Sequence, residues 1–436
     1  MSKLTNIVLG LKQNDFIKDS FWALLGNVIA KGMSLLGAIL VARFLQKDLY
    51  GEYGTIKSTL TNLAIFSTLG LGYTATKYIA QYKNEKPELL NTITKFSMKI
   101  SFVVSTVLAI ALLLFANYIA SDVLEAPHLT TPLRFVSVWI VFNALTTAQI
   151  GILSGFNAFK PMARISTYVG VFAFITSVIF TYVWSLNGAL LALLSTQILN
   201  WLLNYIEVQK YLPKNQEFVK DKTFLKQIIQ FSIPVALQEG LYALTSWLMI
   251  LMLLKLSDFG QVGLYSAAIQ WSVILLFIPG ILRNVILTHL SGVSNNQNEH
   301  KKILKQTLTI NFLATFIPFL IIYFLRGFVT SFYGESYGKD LESVLTISLL
   351  AVVFISLSNV YTQAYMSLGK NWLMLVMRLF RDCGIIGFAY VLIIQNYYTG
   401  AIALVMSTVI IQVLFLICIS FVFHKVLRPN IKARLI

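Results

Sequence analysis

The fold is decided by two hydrophobic stretches, FWALLGNVIAKGMSLLGAILVARF at residues 21–44 and GEYGTIKSTLTNLAIFSTLGLGYTATKYI at residues 51–79, joined by a short turn. About 20 consecutive apolar residues are enough for a helix to cross the hydrocarbon core of a bilayer. Each stretch also contains a lysine, Lys31 or Lys57. A charge at the centre of a membrane helix costs about 2.5–3.5 kcal/mol and usually faces a cavity or a partner. Both lysines are therefore candidate functional residues.

Lys31 belongs to a polar stripe on the first predicted helix. At about 1.5 Å per residue, it lies roughly 16 Å into the membrane. Asn27, Lys31 and Ser34 are spaced at i, i+4 and i+7, which places them on one helical face. Lys31 is either an anion-binding ammonium group in a wet cavity or a structural tie to Glu239. Lys57 is nearer to the predicted outer surface, where snorkelling competes with cavity lining.

The composition is that of a membrane protein with several spans. The chain has 436 residues, of which 57% are hydrophobic and 12% are charged, whereas soluble chains average about 25% charged residues. The net charge of +16 is explained by lysine and arginine in cytoplasmic loops, so no nucleic acid partner is expected. Cys383 and Cys418 both lie in apolar spans, which argues against a disulfide framework or a cysteine-rich metal site.

Apolar stretches separated by polar turns predict an all-α, polytopic membrane protein with about 12 transmembrane helices. The predicted spans are 21–44, 51–79, 93–120, 133–156, 161–184, 188–210, 229–254, 261–288, 303–326, 342–367, 371–395 and 398–424. A polar, Lys-rich break from Pro213 to Lys222 divides them into two six-helix halves. The predicted segments are a polar or interfacial leader at 1–20, an N-terminal lobe at 21–210, a cytoplasmic linker at 211–228, a C-terminal lobe at 229–424 and a cytoplasmic tail at 425–436.

The distribution of basic residues predicts the orientation. Lysine and arginine are concentrated at both ends of the chain and in the even-numbered connections between predicted spans. Because cytoplasmic loops carry an excess of these residues, both termini are expected in the cytoplasm. An even number of helices is consistent with this bias.

Weak internal repeats relate the two halves. Gly51-Glu-Tyr53 matches Gly263-Leu-Tyr265 at an offset of 212 residues. Gln149, Gly155 and Arg164 match Gln363, Gly369 and Arg378 at an offset of 214 residues. The matches predict two parallel, pseudo-symmetric lobes of six helices around a central cavity. Transporters with such repeats place the substrate site between them, near the membrane midplane.

The second half supplies further polar candidates. The seventh predicted span contains Gln238, Glu239 and Tyr242, and the eighth contains Arg283 soon after Pro279-Gly280. Arg283 is close to the predicted cytoplasmic interface, where snorkelling again competes. Glu239 is the one carboxylate that the sequence places well inside a span without an adjacent partner. It either pairs with a lysine or titrates during transport, and the sequence leaves both open.

Signatures of an enzyme were not found in the sequence. The four histidines, His128, His289, His300 and His424, lie on separate segments without the spacing of metal ligands. No phosphate-binding glycine loop of the P-loop type occurs. We therefore expect a protein that is not an enzyme, with no cofactor and no metal.

A family resemblance rests on four short motifs. These are LVARFL at 40–45, YGEY at 50–53, LGLG at 69–72 and KYIA at 77–80. They are similar to the start of the bacterial polysaccharide flippases, the O-antigen (Wzx-type) transporters of the multidrug/oligosaccharidyl-lipid/polysaccharide (MOP) exporter superfamily. The specific motifs cover mainly residues 40–80, whereas the helix number and the two-lobe layout cover nearly the whole chain.

The resemblance implies a function in polysaccharide biosynthesis. Such flippases move an undecaprenyl-pyrophosphate-linked oligosaccharide from the inner to the outer leaflet of the bacterial inner membrane by alternating access. Coupling would use a proton or sodium ion at Glu239, or the membrane potential. The implied partners are the lipid-linked oligosaccharide, membrane lipids and other polysaccharide assembly proteins. The residues assigned to the pyrophosphate are Lys31, Lys57 and Arg283, and those assigned to the sugars are Asn27, Asn143, Gln238 and Tyr242.

Two alternatives remain at this point. A cation-coupled multidrug or metabolite exporter of the same superfamily would bind mainly organic cations, which favour acidic cavities. In this chain, basic residues outnumber acidic residues inside the predicted spans. A membrane glycosyltransferase or ligase would need a catalytic carboxylate or histidine at a leaflet boundary, and no convincing candidate occurs.

Overall fold

The computed structural model describes residues 15–68, 70–83, 86–212, 243–280, 297–368 and 370–427, together with the single positions 237, 240, 241, 282, 286 and 290. The side chains of residues 15–27 lie outside this set. Helices make up nearly all of the described residues, and none of these residues forms a β-strand. The predicted all-α class is confirmed.

Thirteen α-helices of six or more residues are described. In chain order, α1 to α13 are Asp15–Thr68, Leu71–Tyr82, Leu90–Tyr118, Thr130–Val136, Trp139–Gly155, Phe159–Tyr211, Ala243–Leu256, Phe259–Leu275, Gln297–Phe324, Arg326–Ser331, Gly338–Ser367, Asn371–Ile394 and Gly400–Val422. Short 3₁₀ turns and π-helical turns cap several of them. Single π turns lie at Ile119–Val123 and Phe423–Leu427.

Breaks inside the long helices mark the turns between spans. Non-helical backbone at Gln46 divides α1, and non-helical backbone at Ser185 divides α6. Ser185 is the first residue of the predicted turn between the fifth and sixth spans. The second span differs from the single helix predicted over 51–79, because Gly70 has φ 67° and separates α1 from α2. Glycine tolerates this left-handed conformation because it has no Cβ.

The helices are those of a protein that crosses a membrane several times. Among the described residues, five helices are long and apolar enough to span a bilayer, or six if α4 and α5, bent by 42°, form one span. Residues 213–236 and most of 281–296 lie outside the described set. The number of twelve helices therefore stays a prediction.

The chain forms two compact units. Unit 1 consists of Met1–Phe44 and Thr55–Leu248, and unit 2 consists of Leu45–Gly54 and Met249–Ile436. In unit 1, α5 is the central helix and packs against α2, α3 and α6. The buried Gln197 side chain of α6 donates a hydrogen bond from Nε2 to Thr146 Oγ1 of α5, at 3.0 Å.

Unit 2 repeats this packing. Its central helix is α11, which packs against α8, α9 and α13. The buried Gln412 side chain of α13 donates from Nε2 to Ser358 Oγ of α11, at 2.7 Å. The central helices α5 and α11 carry the matching residues Gln149 and Gln363, and both glutamines are buried. The same helix pair is thus joined by the same kind of hydrogen bond in both units, as expected for a structural repeat.

The clearest repeat contact lies inside unit 2, where residues 45–54 of α1 cross α8. A Cβ atom on Gly51 would overlap the carbonyl oxygen of Phe259, and one on Gly263 would overlap the carbonyl oxygen of Lys47. The two contacts are equivalent. Phe259, which Gly51 approaches, lies four residues before Gly263, and Lys47, which Gly263 approaches, lies four residues before Gly51. Gly51 and Gly263 are also the equivalent positions of the sequence repeat. The crossing of α1 and α8 therefore has local two-fold symmetry, and only glycine at both positions lets the two backbones approach so closely.

Candidate functional site

A cavity of about 350 Å³ opens in unit 1 where α1, α2 and α5 meet. This volume is at the lower end of the range for ligand pockets. The lining contains hydroxyls, one amide, one phenol ring and aliphatic carbon, but no charged side chain. The lining residues are Thr61, Ile65, Thr68, Gly70, Gly72, Tyr73, Thr76, Asn143, Thr147, Ile150 and Gly151.

Glycines explain why the helices leave this space. The left-handed backbone of Gly70 interrupts the helix between α1 and α2. Below the break, α2 approaches α5 so closely that a Cβ on Gly151 would overlap the backbone of Gly72. Thr76 Oγ1 secures this approach by donating a hydrogen bond to the carbonyl oxygen of Gly151, at 2.9 Å. The cavity is therefore a consequence of one helix break beside one tight helix contact.

The polar lining presents both hydrogen-bond acceptors and donors. Thr61, Thr68 and Thr147 donate their hydroxyl hydrogens to backbone carbonyl oxygens of their own helices, at 2.8, 2.9 and 2.9 Å. Their hydroxyl oxygens keep lone pairs that can accept hydrogen bonds from a ligand. Asn143 adds an amide with two donor hydrogens and an acceptor oxygen. This combination suits a neutral group that both donates and accepts, such as a sugar hydroxyl.

Lys57 continues the cavity face of α1. Lys57, Thr61, Ile65 and Thr68 follow one another at i, i+4, i+8 and i+11, so they share one side of the helix. Lys57 therefore lies one turn beyond the cavity, and its side chain is partly buried. Lys31 lies on the part of α1 before Gln46, within electrostatic range of Lys57.

Lys31 and Ser34 of the polar stripe face away from the contact that the part of α1 before Gln46 makes with α6. Ala30 and Gly37 of α1 pack against α6, where a Cβ on Gly170 would lie 2.9 Å from Ala30 Cα. Lys31 and Ser34 are both exposed and lie off this contact. Lys31 is therefore not sealed in a dry interface within unit 1. An exposed ammonium group can attract an anion.

The predicted site residues are only partly placed. Lys31, Lys57 and Asn143 are described, and Asn143 lines the cavity near Lys57. Asn27 lies on α1, but its side chain is outside the described set. Four other predicted residues also lie outside the described residues, namely Arg283, Gln238, Tyr242 and Glu239. The roles assigned to all eight residues stay predictions.

Most of the cavity lining was not predicted from the sequence. Thr61, Thr68, Tyr73, Thr76 and Thr147 were not singled out. A detectable signal existed, because Thr61 and Thr68 continue the face of Lys57, and Thr147 follows Asn143 by four residues. Threonine in a membrane helix is common, however, and often only bonds to the preceding turn. These threonines become candidate ligand-binding residues only because α1 and α5 border the same cavity in the structure.

Comparison with known proteins identifies relatives over most of the chain. Residues 16–287 match the family model described as polysaccharide biosynthesis protein. The chain is 21% identical over 367 residues to the EPS I polysaccharide export inner membrane protein EpsE of Ralstonia solanacearum, covering 82% of each chain. The corresponding protein of Ralstonia nicotianae is 21% identical over 402 residues, covering 90% of each chain.

Solved structures show a shared fold. An inward-facing multidrug resistance MATE family transporter of the MOP superfamily is similar with a TM-score of 0.78 and 14% identity, covering 94% of this chain and 99% of that one. A MOP superfamily transporter from Pyrococcus furiosus has a TM-score of 0.69 and 14% identity, covering 95% and 96% of the two chains. At these identities, the likeness establishes the fold.

Proposed function

The chain belongs to the polysaccharide biosynthesis protein family and has the fold of the MOP superfamily transporters, and on this premise we propose that it is a flippase for a lipid-linked oligosaccharide. The substrate is a sugar chain joined through pyrophosphate to undecaprenol. The protein moves the head group from the inner to the outer leaflet by alternating access. Its location is the bacterial inner membrane, with both termini in the cytoplasm. The named export function of the Ralstonia relatives supports this proposal.

One arrangement in unit 1 supports the substrate class most directly. The Lys31 and Lys57 ammonium groups offer charge to a pyrophosphate, since lysine binds phosphate oxygens as a point charge. The neutral cavity that begins one helical turn away offers hydroxyls and the Asn143 amide to a sugar. In the glycolipid head group, the charged pyrophosphate is likewise next to the neutral sugar. The prenyl tail stays in the lipid, which requires no protein site.

Transport in proteoliposomes tests this proposal. Purified protein is reconstituted with a short undecaprenyl-pyrophosphate oligosaccharide, and the sugar exposed on each side is measured with a membrane-impermeant glycosidase. We expect the protein to equilibrate the sugar across the bilayer, whereas empty liposomes do not. The competing exporter hypothesis predicts that cationic dyes are transported and that the glycolipid is not. That result would contradict the flippase function.

Asn143→Leu is expected to slow glycolipid transport by about tenfold. Removing the amide leaves a sugar hydroxyl without its partner inside the cavity, which costs about 1–3 kcal/mol, and 1.4 kcal/mol corresponds to a factor of ten. Leucine has the same number of side-chain heavy atoms and the same branch point, so the change removes the polar atoms while keeping a similar shape. The measurement is the initial rate of head-group translocation in proteoliposomes.

Asn117→Leu is the matched control for the cavity. Asn117 is an exposed residue of α3 and does not line the cavity. We expect its transport rate to equal that of the wild type. Equal rates for Asn143→Leu and the wild type would show that the cavity does not hold the sugar.

Glu239→Gln is expected to alter the dependence of transport on pH or on sodium. The sequence places this carboxylate inside a span, where a group that binds and releases a cation can couple transport to an ion gradient. Transport is compared at several pH values and sodium concentrations, with the exposed Glu88 changed to glutamine as a control. If transport by the variant depends on pH and sodium as in the wild type, Glu239 does not couple transport to an ion. Its role would then be a structural pairing with a lysine.

A further inference from the structure

A second site lies in unit 2, on the side of its central helix. A groove of about 650 Å³ runs between α9 and α13, with α11 as its floor. Its walls are strongly apolar and include Phe312, Leu357, Leu416, Ile417 and Phe421. Ile417 and Phe421 are each 61% exposed. In a membrane protein, an open apolar groove of this kind is in contact with lipid chains.

The groove also has a polar tier. Tyr361 of α11 and Ser420 of α13 line it, and their hydroxyl groups are 2.8 Å apart in a hydrogen bond. His424 Nε2 lies 3.4 Å from the same Tyr361 hydroxyl. Thr309 of α9 lines the groove from the opposite wall. Hydroxyl groups from three helices are therefore grouped at one level of an otherwise apolar groove.

Two lysines mark the end of the groove next to this tier. Lys305 precedes Thr309 by one turn of α9, and the Thr309 hydroxyl donates to the Lys305 carbonyl oxygen at 3.1 Å. Lys425 follows Phe421 by one turn at the end of α13. Both lysine side chains are exposed. The predicted topology places this end of both helices at the cytoplasmic face.

Along both walls of the groove, α9 and α13, the residue types follow one another in the same order. From the predicted cytoplasmic end, α9 presents Lys305, then Thr309, then Phe312. In the same direction, α13 presents Lys425, then Ser420, then Ile417. The groove thus passes from cationic to hydroxyl to apolar over a few helical turns.

We propose that this groove is a binding site for an anionic phospholipid of the cytoplasmic leaflet. The phosphate lies between Lys305 and Lys425, a glycerol ester oxygen accepts the one hydroxyl hydrogen that the Tyr361–Ser420 hydrogen bond leaves over, and one acyl chain occupies the apolar part. Charge, hydrogen bonding and apolar contact follow the same order in the lipid and in the groove. The site is separate from the cavity of unit 1 and independent of the flippase proposal.

The hydroxyl tier favours a phospholipid over a polyprenyl phosphate. In a phospholipid, ester carbonyl oxygens lie between the phosphate and the hydrocarbon chains. In a polyprenyl phosphate, hydrocarbon is joined directly to the phosphate, so the Tyr361 and Ser420 hydroxyls would face carbon. The tier would keep its internal hydrogen bonds but gain none from such a lipid.

Lipid retention measured by native mass spectrometry tests this site. The delipidated protein is titrated with phosphatidylglycerol, phosphatidylcholine or undecaprenyl phosphate. We expect phosphatidylglycerol to bind more tightly than the other two lipids. The Lys305→Ala/Lys425→Ala double variant is expected to weaken phosphatidylglycerol binding by about 30-fold, since each lysine near an anionic lipid contributes on the order of fivefold.

The matched control is the Lys95→Ala/Lys99→Ala double variant, which removes two exposed lysines from α3 of unit 1. It is expected to bind phosphatidylglycerol like the wild type. Thr309→Trp fills the groove from an exposed position and should displace the lipid without removing a charge. Unchanged binding in the Lys305/Lys425 variant or in Thr309→Trp would overturn the proposal. Preferential binding of undecaprenyl phosphate would also overturn it, by making the groove a tail-binding site.

Discussion

Gly51→Ala and Gly263→Ala are each expected to prevent unit 2 from packing and to abolish recovery of a monodisperse protein. The added Cβ atoms would overlap the carbonyl oxygens of Phe259 and Lys47. A side chain can change rotamer to relieve a clash, but a backbone carbonyl inside a helix cannot. Overpacking in a core costs about 1–3 kcal/mol, occasionally more, and a clash between backbones belongs at the upper end. Thermal unfolding in detergent and size-exclusion chromatography measure the effect.

Gly32 and Gly387 provide matched controls for these two substitutions. A Cβ on either residue meets nothing within 4 Å, although both residues lie in helices, as Gly51 and Gly263 do. Because alanine is favoured over glycine by about 1 kcal/mol in a helix interior, both controls should be neutral or slightly stabilising. Wild-type stability of Gly51→Ala would show that the helices do not cross at this glycine.

The two-fold relation gives a further, quantitative expectation. Gly51→Ala and Gly263→Ala act on the same crossing, so the double variant should lose clearly less stability than the sum of the single variants. Neighbouring sites couple in this way, whereas distant sites add within about 0.3–0.5 kcal/mol. Where the single variants are too unstable to purify, urea sensitivity in membrane vesicles gives the comparison. Simple additivity would indicate two separate contacts.

Lys31→Ala is expected to lower surface glycan strongly in a strain that lacks its own flippase, while the protein is still made at a normal level. Lys31 is exposed and lies within electrostatic range of Lys57, which is one helical turn from the cavity. Charge-assisted hydrogen bonds contribute about 1.5–3 kcal/mol each, so losing one of two lysines should reduce transport by at least about tenfold. Glycan is measured on the cell surface, and protein level is measured by immunoblot.

Three comparisons separate the role of Lys31 from a loss of folding. Lys31→Arg keeps the charge and should retain part of the transport, since arginine also binds phosphate. Lys57→Met should cause a loss similar to that of Lys31→Ala. Lys99→Ala changes an exposed lysine of α3 and should leave glycan unchanged. Normal surface glycan in Lys31→Ala would remove this lysine from the substrate site.

Particular residues show how far the sequence can predict this structure. The turn at Ser185 and the break between the first two spans, which the structure has at Gln46, were visible as interruptions of hydrophobicity. The repeat linking Gly51 to Gly263 was visible as a spacing, although the sequence did not show that these glycines touch. The break at Gly70 was not predicted, because its neighbours are as apolar as the rest of the span. The hydropathy of a stretch does not indicate that one of its residues has a left-handed backbone conformation.

The candidate site was predicted only in part, for a related reason. Lys31 and Lys57 stood out because charge is rare inside a span. Asn143 was a candidate from its polarity, but nothing in the sequence joined it to Thr61 or Tyr73. Polar residues that line a cavity and those that bond within their own helix look alike in a sequence. The distinction depends on which helix lies opposite.

The sequence alone determined that the chain is helical, that it crosses a membrane repeatedly and that its halves are related. These properties follow from the energy of placing each residue in lipid, which depends on residue type and on position along the helix. The tertiary structure decided which faces meet, as at Gly51 with Gly263 and at the cavity between α1, α2 and α5. Lipid and protein neighbours are equally apolar, so hydrophobicity does not fix the rotation of a membrane helix about its axis. Close glycine contacts and interhelical hydrogen bonds fix that rotation, and they exist only once the helices are packed.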